Sequence, residues 1–260
     1  MSKDIPIIFS APMVRALLEG RKTQTRRILK PQPEPFLVDN KPCEVGLLQV
    51  GSDPRPRVTL GHVVTRQEVR FAVGDRLWVR ENYAYVGARD PGFLTYGATY
   101  PGDLAKYGCE NVPATLKEAG YKWKPSIHMP REVSRLTLVV AGVKVERLQD
   151  ISEDDAVAEG IARLFTEEEC RTVAGIVGTK PEDHGWQNYL WHGLIGREIT
   201  AAQSEAWQHQ YSGYRYARGS FSSLWARING VESWDQNPFV VATTFRVIKA
   251  NIDAPEARAA

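Results

Sequence analysis

Gly20-Arg21-Lys22-Thr23-Gln24-Thr25-Arg26-Arg27 places four cationic side chains and two threonine hydroxyls within eight consecutive residues. Clustered cations beside small hydroxyl donors suit a phosphate, a carboxylate or a nucleobase carbonyl. The plain alternative is a solvated basic loop, and the flanking sequence has to weigh the two. Upstream, Ile5 to Phe9 is an apolar run suited to a buried strand. Ser10 then caps a helix with Pro12 in its first turn, where a missing amide hydrogen costs nothing. Met13 and Leu17 share one side with Val14 and Leu18 beside them, and Gly20 is the stop. The basic octet therefore leaves the C-terminal end of a helix packed on a strand, where the helix dipole favours cations.

Downstream, six prolines between Pro31 and Pro56 break any helix, so 31–70 reads as an extended segment with an edge strand near Gly46 to Val50. Val73-Gly74-Asp75 is a tight turn into a strand over 76–80. Leu77 and Val79 share one face of it, with Trp78 and Arg80 on the other. That second face is either a stacked surface pair or a ligand-facing wall. The Gly-, Tyr- and Pro-rich stretch from Asn82 to Lys124 is a lid or a cover for a core edge, the latter for most of its tyrosines. In Ser126-Ile127-His128-Met129-Pro130-Arg131, proline fixes an extended path and sets the directions of His128 and Arg131.

Val133 to Leu148 is the clearest strand, alternating Leu136, Leu138 and Val140 against Arg135, Thr137 and Val139, with a bulge or bend at Ala141-Gly142. Ser152 with Asp155 starts a short capped helix ending at Gly160. Glu159 falls in its last turn, where a carboxylate opposes the dipole; a nearby lysine or a substrate proton would account for it. Thr166 with Glu169 marks another capped helix through about Ala174, and a further helix is possible over Thr200 to His209. Phe221, Leu224, Trp225 and Ile228 form an amphipathic stripe closed by Gly230. Phe239 to Ile248 is strongly β-forming, and the tail from Asn251 reads as disordered.

Composition bounds the function more than it names it. The chain has 260 residues, 43% hydrophobic and 25% charged, with a formal charge of +2, so affinity for an anion has to come from local clusters. Cys43, Cys109 and Cys170 lack CxxC spacing and read as reduced thiols, and the five histidines lack zinc-binding spacing. No cofactor or metal is expected. No apolar run reaches the ~18 residues of a spanning helix, and the N-terminus lacks a signal-peptide profile. A cytoplasmic protein without membrane contact is expected. The simplest architecture is one α+β domain over 1–250, its strands near 5–9, 76–80, 133–146 and 239–248 forming a mixed or antiparallel sheet, with short helices at the rim.

Taken together, the octet, Gly74-Asp75-Arg76-Leu77-Trp78-Val79-Arg80-Glu81, Ala156-Val157-Ala158-Glu159-Gly160 and the closing β-run resemble the ASCH family, a branch of the PUA-like β-barrel superfamily. The whole chain is similar to the long ASCH proteins of phages and prophages. There the phrase at 126–131, Leu148-Gln149-Asp150-Ile151-Ser152-Glu153, Ser223-Leu224-Trp225 and Trp234-Asp235-Gln236-Asn237-Pro238 recur in this order. The resemblance implies a PUA-like mixed or antiparallel β-barrel with long loop insertions near 31–70, 82–133 and 162–219. It also implies a pocket for RNA or a modified nucleoside. The smaller ASCH enzymes are 4-acetylcytidine amidohydrolases with a Lys-Thr-Glu set, which falls on Lys22, Thr25 and Glu159; other members are reported as ribonucleases. In that scheme Lys22, its pKa lowered by desolvation, takes the proton of Thr25, and Glu159 orients it or relays a proton. Arg26 holds a phosphate or oxyanion, Trp78 or a tyrosine stacks on the base, and Arg80, His128 and Arg131 complete the binding set. A noncatalytic RNA-binding or nucleobase-binding module and a phage assembly factor are the competing readings.

Overall fold

A computed structural model describes residues 2–49, 55–88, 90–109, 111–163, 171, 185–186 and 216–259. The helix expected at 200–209 and the residue Cys170 lie outside the described residues, as do most of 162–219 and, apart from Arg171, the helix expected at 166–174. Strand β1 (Asp4–Ile8) leads into helix α1 (Ala11–Leu18), with Ser10 at the N-cap and proline in the first turn. Gly20, at φ +77°, ends it. The next element is not a loop. Gln24–Ile28 is strand β2, whose first three residues are buried although all are polar.

The proline-rich segment holds more sheet than expected. A two-stranded ribbon, β3 (Leu37–Val38) and β4 (Lys41–Pro42), precedes a three-stranded antiparallel sheet of β5 (Val45–Leu48), β6 (Arg57–Leu60) and β7 (Val63–Glu68). Strand β8 (Arg76–Arg80) and a hairpin of β9 (Tyr83–Val86) and β10 (Phe93–Tyr96) follow. Strand β11 (Thr137–Arg147), helix α2 (Glu153–Ala158), helix α3 (Ala217–Asn229) and strand β12 (Phe239–Ile248) complete the main body.

The main sheet has the order β1-β8-β11-β12-β2. The β1–β8 pair is parallel and the other pairs are antiparallel, so the sheet is mixed and the chain is α+β. The ladder between β11 and β12 shifts register between Val140 and Gly142, at the bend expected there. Successive residues of β12 serve opposite faces. Val240 joins a core with Leu17 of α1 and Phe221 and Trp225 of α3, while Val241 joins a second core with Val58, Val69 and Leu29. Leu136, Leu138 and Val140 are fully buried in the first core, each burial stabilising by roughly 1.5–3 kcal/mol.

Two further segments are packed rather than loose. The Tyr-rich stretch forms the β9–β10 hairpin over Met129, and its Tyr96 hydroxyl donates to the Val133 carbonyl at 2.8 Å. Burial pushes the Tyr96 phenol up to about 12. The tail is not disordered: Pro255–Arg258 forms helix α4, and Ile252 and Ala257 are both fully buried. Two apolar anchors, too sparse to read as a periodic pattern, hold it down.

Candidate functional site

The turn after α1 sets the site. The amides of Arg21 and Lys22 both donate to the Ala16 carbonyl, capping the helix. The Thr23 amide then donates to Ala158 at 2.8 Å, and Lys22 forms a bridge with Glu159 at the end of α2. Gly160 makes this approach possible. It sits at φ +82°, and a Cβ there would stand 2.7 Å from the Lys22 Cβ and 3.0 Å from the Ala16 Cβ.

Lys22 and Glu159 consequently meet inside the protein, both almost fully buried. Lys22 Nζ donates to Glu159 Oε2 at 2.9 Å and to the Glu159 backbone carbonyl at 2.8 Å. This is the lysine that the dipole-opposing position of Glu159 called for. Burial lowers the Lys22 pKa, while the Glu159 carboxylate works the other way. The other Glu159 oxygen accepts from Arg26 at 3.2 Å.

Arg26 does not stand free as an anion ligand. Its side chain is wholly buried and also contacts Glu146 at 2.7 Å and Asp155 at 2.8 Å. Gln24 extends the network, accepting from Arg26 and donating to Asp155 at 3.1 Å. Lys144 closes it at 2.6 Å from Asp155. Arg26 therefore fixes the carboxylate that in turn holds Lys22. Its charge is already matched, which sets aside the phosphate or oxyanion role expected of it.

Lys22, Thr25 and Glu159 line one cavity of about 420 Å³, together with Phe9, Phe221 and Trp225. That is a volume for a small organic ligand. Among the described residues the Thr25 hydroxyl makes no side-chain hydrogen bond, although the residue is buried. The Trp225 indole Nε1–H is likewise buried without an acceptor among the described residues. An unpaired buried donor costs roughly 1–3 kcal/mol. Phe9 lies under the Lys22 ammonium, 5.5 Å from ring centre to Nζ.

The remaining expected binding residues are elsewhere. Arg80 lies over the Trp78 ring, 5.2 Å from its centre, and also donates to the Ile127 carbonyl. His128 is exposed, and its carbonyl accepts from Tyr83. Arg131 ties Asp4 and Asp253 together, which raises its pKa and pins the tail; it is a structural residue far from free. Sequence reasoning missed Phe9 and Trp225, whose apolar spacing reads as ordinary packing. It also missed Glu146 and Asp155, which no spacing rule links to the octet.

Among the described residues no group of three or more His, Cys, Asp or Glu side chains is arranged to hold a metal ion. No helix of the described residues is long and apolar enough to cross a membrane. No protein-family model, curated protein or solved structure matches the chain.

Proposed function

We propose that this chain is an ASCH protein of the PUA-like type and hydrolyses the amide of an N-acylated nucleobase, of the 4-acetylcytidine kind. The observation that carries the reading is the buried Lys22–Glu159 pair opening onto a cavity whose wall includes the uncommitted Thr25 hydroxyl. In this reading Thr25 Oγ1 attacks the acyl carbonyl carbon and passes its proton to the neutral Lys22 amine. The carbon–nitrogen bond breaks, and the proton moves from Lys22 to the departing exocyclic amine. Water then hydrolyses the threonine ester, releasing the carboxylic acid. Glu159, held by Arg26, orients Lys22. The barrel belongs to the proposal as well. In its support, Arg27 of β2 donates to the Ile8 carbonyl of β1 at 2.8 Å, so the two edge strands of the sheet stand within one side chain of each other.

The test is incubation with 4-acetylcytidine and a panel of N-acylated nucleosides, following release of the free base form by chromatography. Turnover that disappears in Lys22→Met and in Thr25→Val supports the reading; turnover indifferent to both removes the site. A second reading, a noncatalytic nucleobase-binding pocket, is favoured by one observation: both Glu159 oxygens and every charge around Arg26 are already paired, as in a structural network. Tight binding of cytidine derivatives without turnover of any acylated form would select it.

A further inference from the structure

The edge strands β1 and β2 border a groove of about 750 Å³ that shares the wall formed by Ile8, Arg27, Ile28 and Lys30 with the Lys22 cavity. Its lining carries five cations, Arg27, Lys30, Arg55, Arg70 and Arg80, against one carboxylate, Glu68; five minus one leaves a formal +4. The whole chain has only +2, so this groove concentrates positive charge that the rest of the molecule offsets. Glu68 itself faces Arg57 at 3.7 Å.

How these arginines are held matters more than their number. Arg27 donates to the Ile8 carbonyl at 2.8 Å, Arg70 to the Pro6 carbonyl at 2.9 Å, and Arg80 to the Ile127 carbonyl. A carbonyl orients a guanidinium without cancelling its charge, and a guanidinium has further N–H groups for a second acceptor. This is the opposite of Arg26, which three carboxylates neutralise. Two of the guanidinium groups lie over aromatic rings, Arg70 over Phe71 and Arg80 over Trp78, each 5.2 Å from the ring centre.

We infer that the groove is a phosphate subsite continuous with the cavity, so that the ligand is a phosphorylated nucleoside whose base enters the cavity while its phosphate lies among Arg27, Arg70 and Arg80. The inference rests on the nucleobase reading of the cavity and adds the requirement for phosphate. It also divides the work of the octet: Lys22 and Thr25 face the base, and Arg27 faces the phosphate.

The experiment compares 4-acetylcytidine, its 5′- and 3′-monophosphates, and a short single-stranded oligonucleotide carrying one 4-acetylcytidine. It measures kcat/KM for each and, by titration at several salt concentrations, the binding of the corresponding unacylated ligands. The proposal expects the phosphorylated forms to be preferred by about tenfold or more, a charge-assisted contact's worth. Arg70→Ala should abolish that preference, Arg70→Lys should restore part of it, and both should leave turnover of the free nucleoside unchanged. If the oligonucleotide is the true ligand, its affinity falls with salt and each lost arginine lowers the log–log slope by about 0.7. A preference confined to the monophosphates assigns the groove to free nucleotides. Equal handling of nucleoside and nucleotide, unaffected by Arg70→Ala, overturns the proposal while leaving the cavity reading intact. Arginine-dependent binding of phosphorylated ligands without any turnover sustains the groove and removes the hydrolase.

Discussion

Replacing Gly160 by alanine tests how the site is assembled. The new Cβ would lie 2.7 Å from the Lys22 Cβ, 3.0 Å from the Ala16 Cβ and 3.2 Å from the Lys22 Cα. Carbon atoms pack best at about 3.5–4.0 Å, so the chain has to open by several tenths of an ångström on two sides at once. Left-handed backbone costs a non-glycine residue roughly 1–2 kcal/mol, and overpacking a tight site roughly 1–3 kcal/mol. The reduced freedom of the unfolded chain returns roughly 0.4–1 kcal/mol. The net loss is about 1–4.6 kcal/mol, or about 2–18 °C in Tm for a chain of this size. Gly20→Ala is the matched control: its φ is +77°, yet nothing lies within 4 Å of a Cβ there. It carries the backbone strain alone and should lose about 1 kcal/mol. Thermal unfolding of the two variants beside the wild type makes the comparison. Turnover should fall in Gly160→Ala, because the backbone that has to yield is that of Lys22, and persist in Gly20→Ala. Equal losses of stability in both variants would refute the close approach of α2 to Lys22 as the device that builds the site.

Other outcomes follow from the same geometry. Lys22 titrates below its ordinary 10.5, chiefly through burial, and acts as a base only when neutral; kcat/KM should therefore rise with pH to a plateau whose midpoint lies below that value. Glu159→Gln removes the charge that raises the Lys22 pKa, so a pH profile of this variant should show a lower plateau reached at lower pH. Since the folded chain binds fewer protons at Lys22 than the unfolded chain between the lowered pKa and 10.5, this residue adds stability as pH rises through that window. Trp225→Phe deletes an unpaired donor but also shrinks a buried ring of the main core, so urea unfolding should show a loss of about 0.5–3 kcal/mol. Arg135→Met strands the buried Glu81 carboxylate, which burial already holds above its ordinary pKa, and should cost about 3–5 kcal/mol in chemical denaturation. The loss should shrink near pH ~4, where that carboxyl is protonated in both states, and Glu81→Gln should recover part of it. Ile252→Ala should cost about 2–5 kcal/mol by the same measurement, because the tail fills a core position.

What the sequence made legible was governed by apolar pattern. Helix α1, the bulge in β11, the Ser152 cap and strand β12 all carry periodic apolar residues or a capping pair, and each stands where the pattern puts it. Strand β2 does not, because Arg26 is buried by charge matching and Gln24 by hydrogen bonds to that network, with the small Thr25 buried between them. A strand with a polar interior reads as a loop. The same physics hid Glu146 and Asp155, which reach Arg26 from β11 and α2, 120 and 129 residues away in sequence. The tail reads as disordered for a related reason: Ile252 and Ala257 are single anchors without a period. Of the candidate site, a cation for Glu159 is legible from its place in the last turn of a helix, whereas the naming of Lys22, Thr25 and Glu159 as one set rests on the resemblance. The basic groove was invisible to it, since Arg27, Arg55, Arg70 and Arg80 come from four separate stretches of the chain.

The central claim, that an N-acylated base sits against Thr25 with Lys22 beside it, is tested most directly by a crystal structure of the Lys22→Met variant with bound 4-acetylcytidine or its monophosphate. The account places the base in the cavity between Phe9 and Trp225, with the acyl carbonyl carbon within about 3–3.5 Å of Thr25 Oγ1. A ligand seated outside that cavity, or bound there with its acyl group turned away from Thr25, would contradict it.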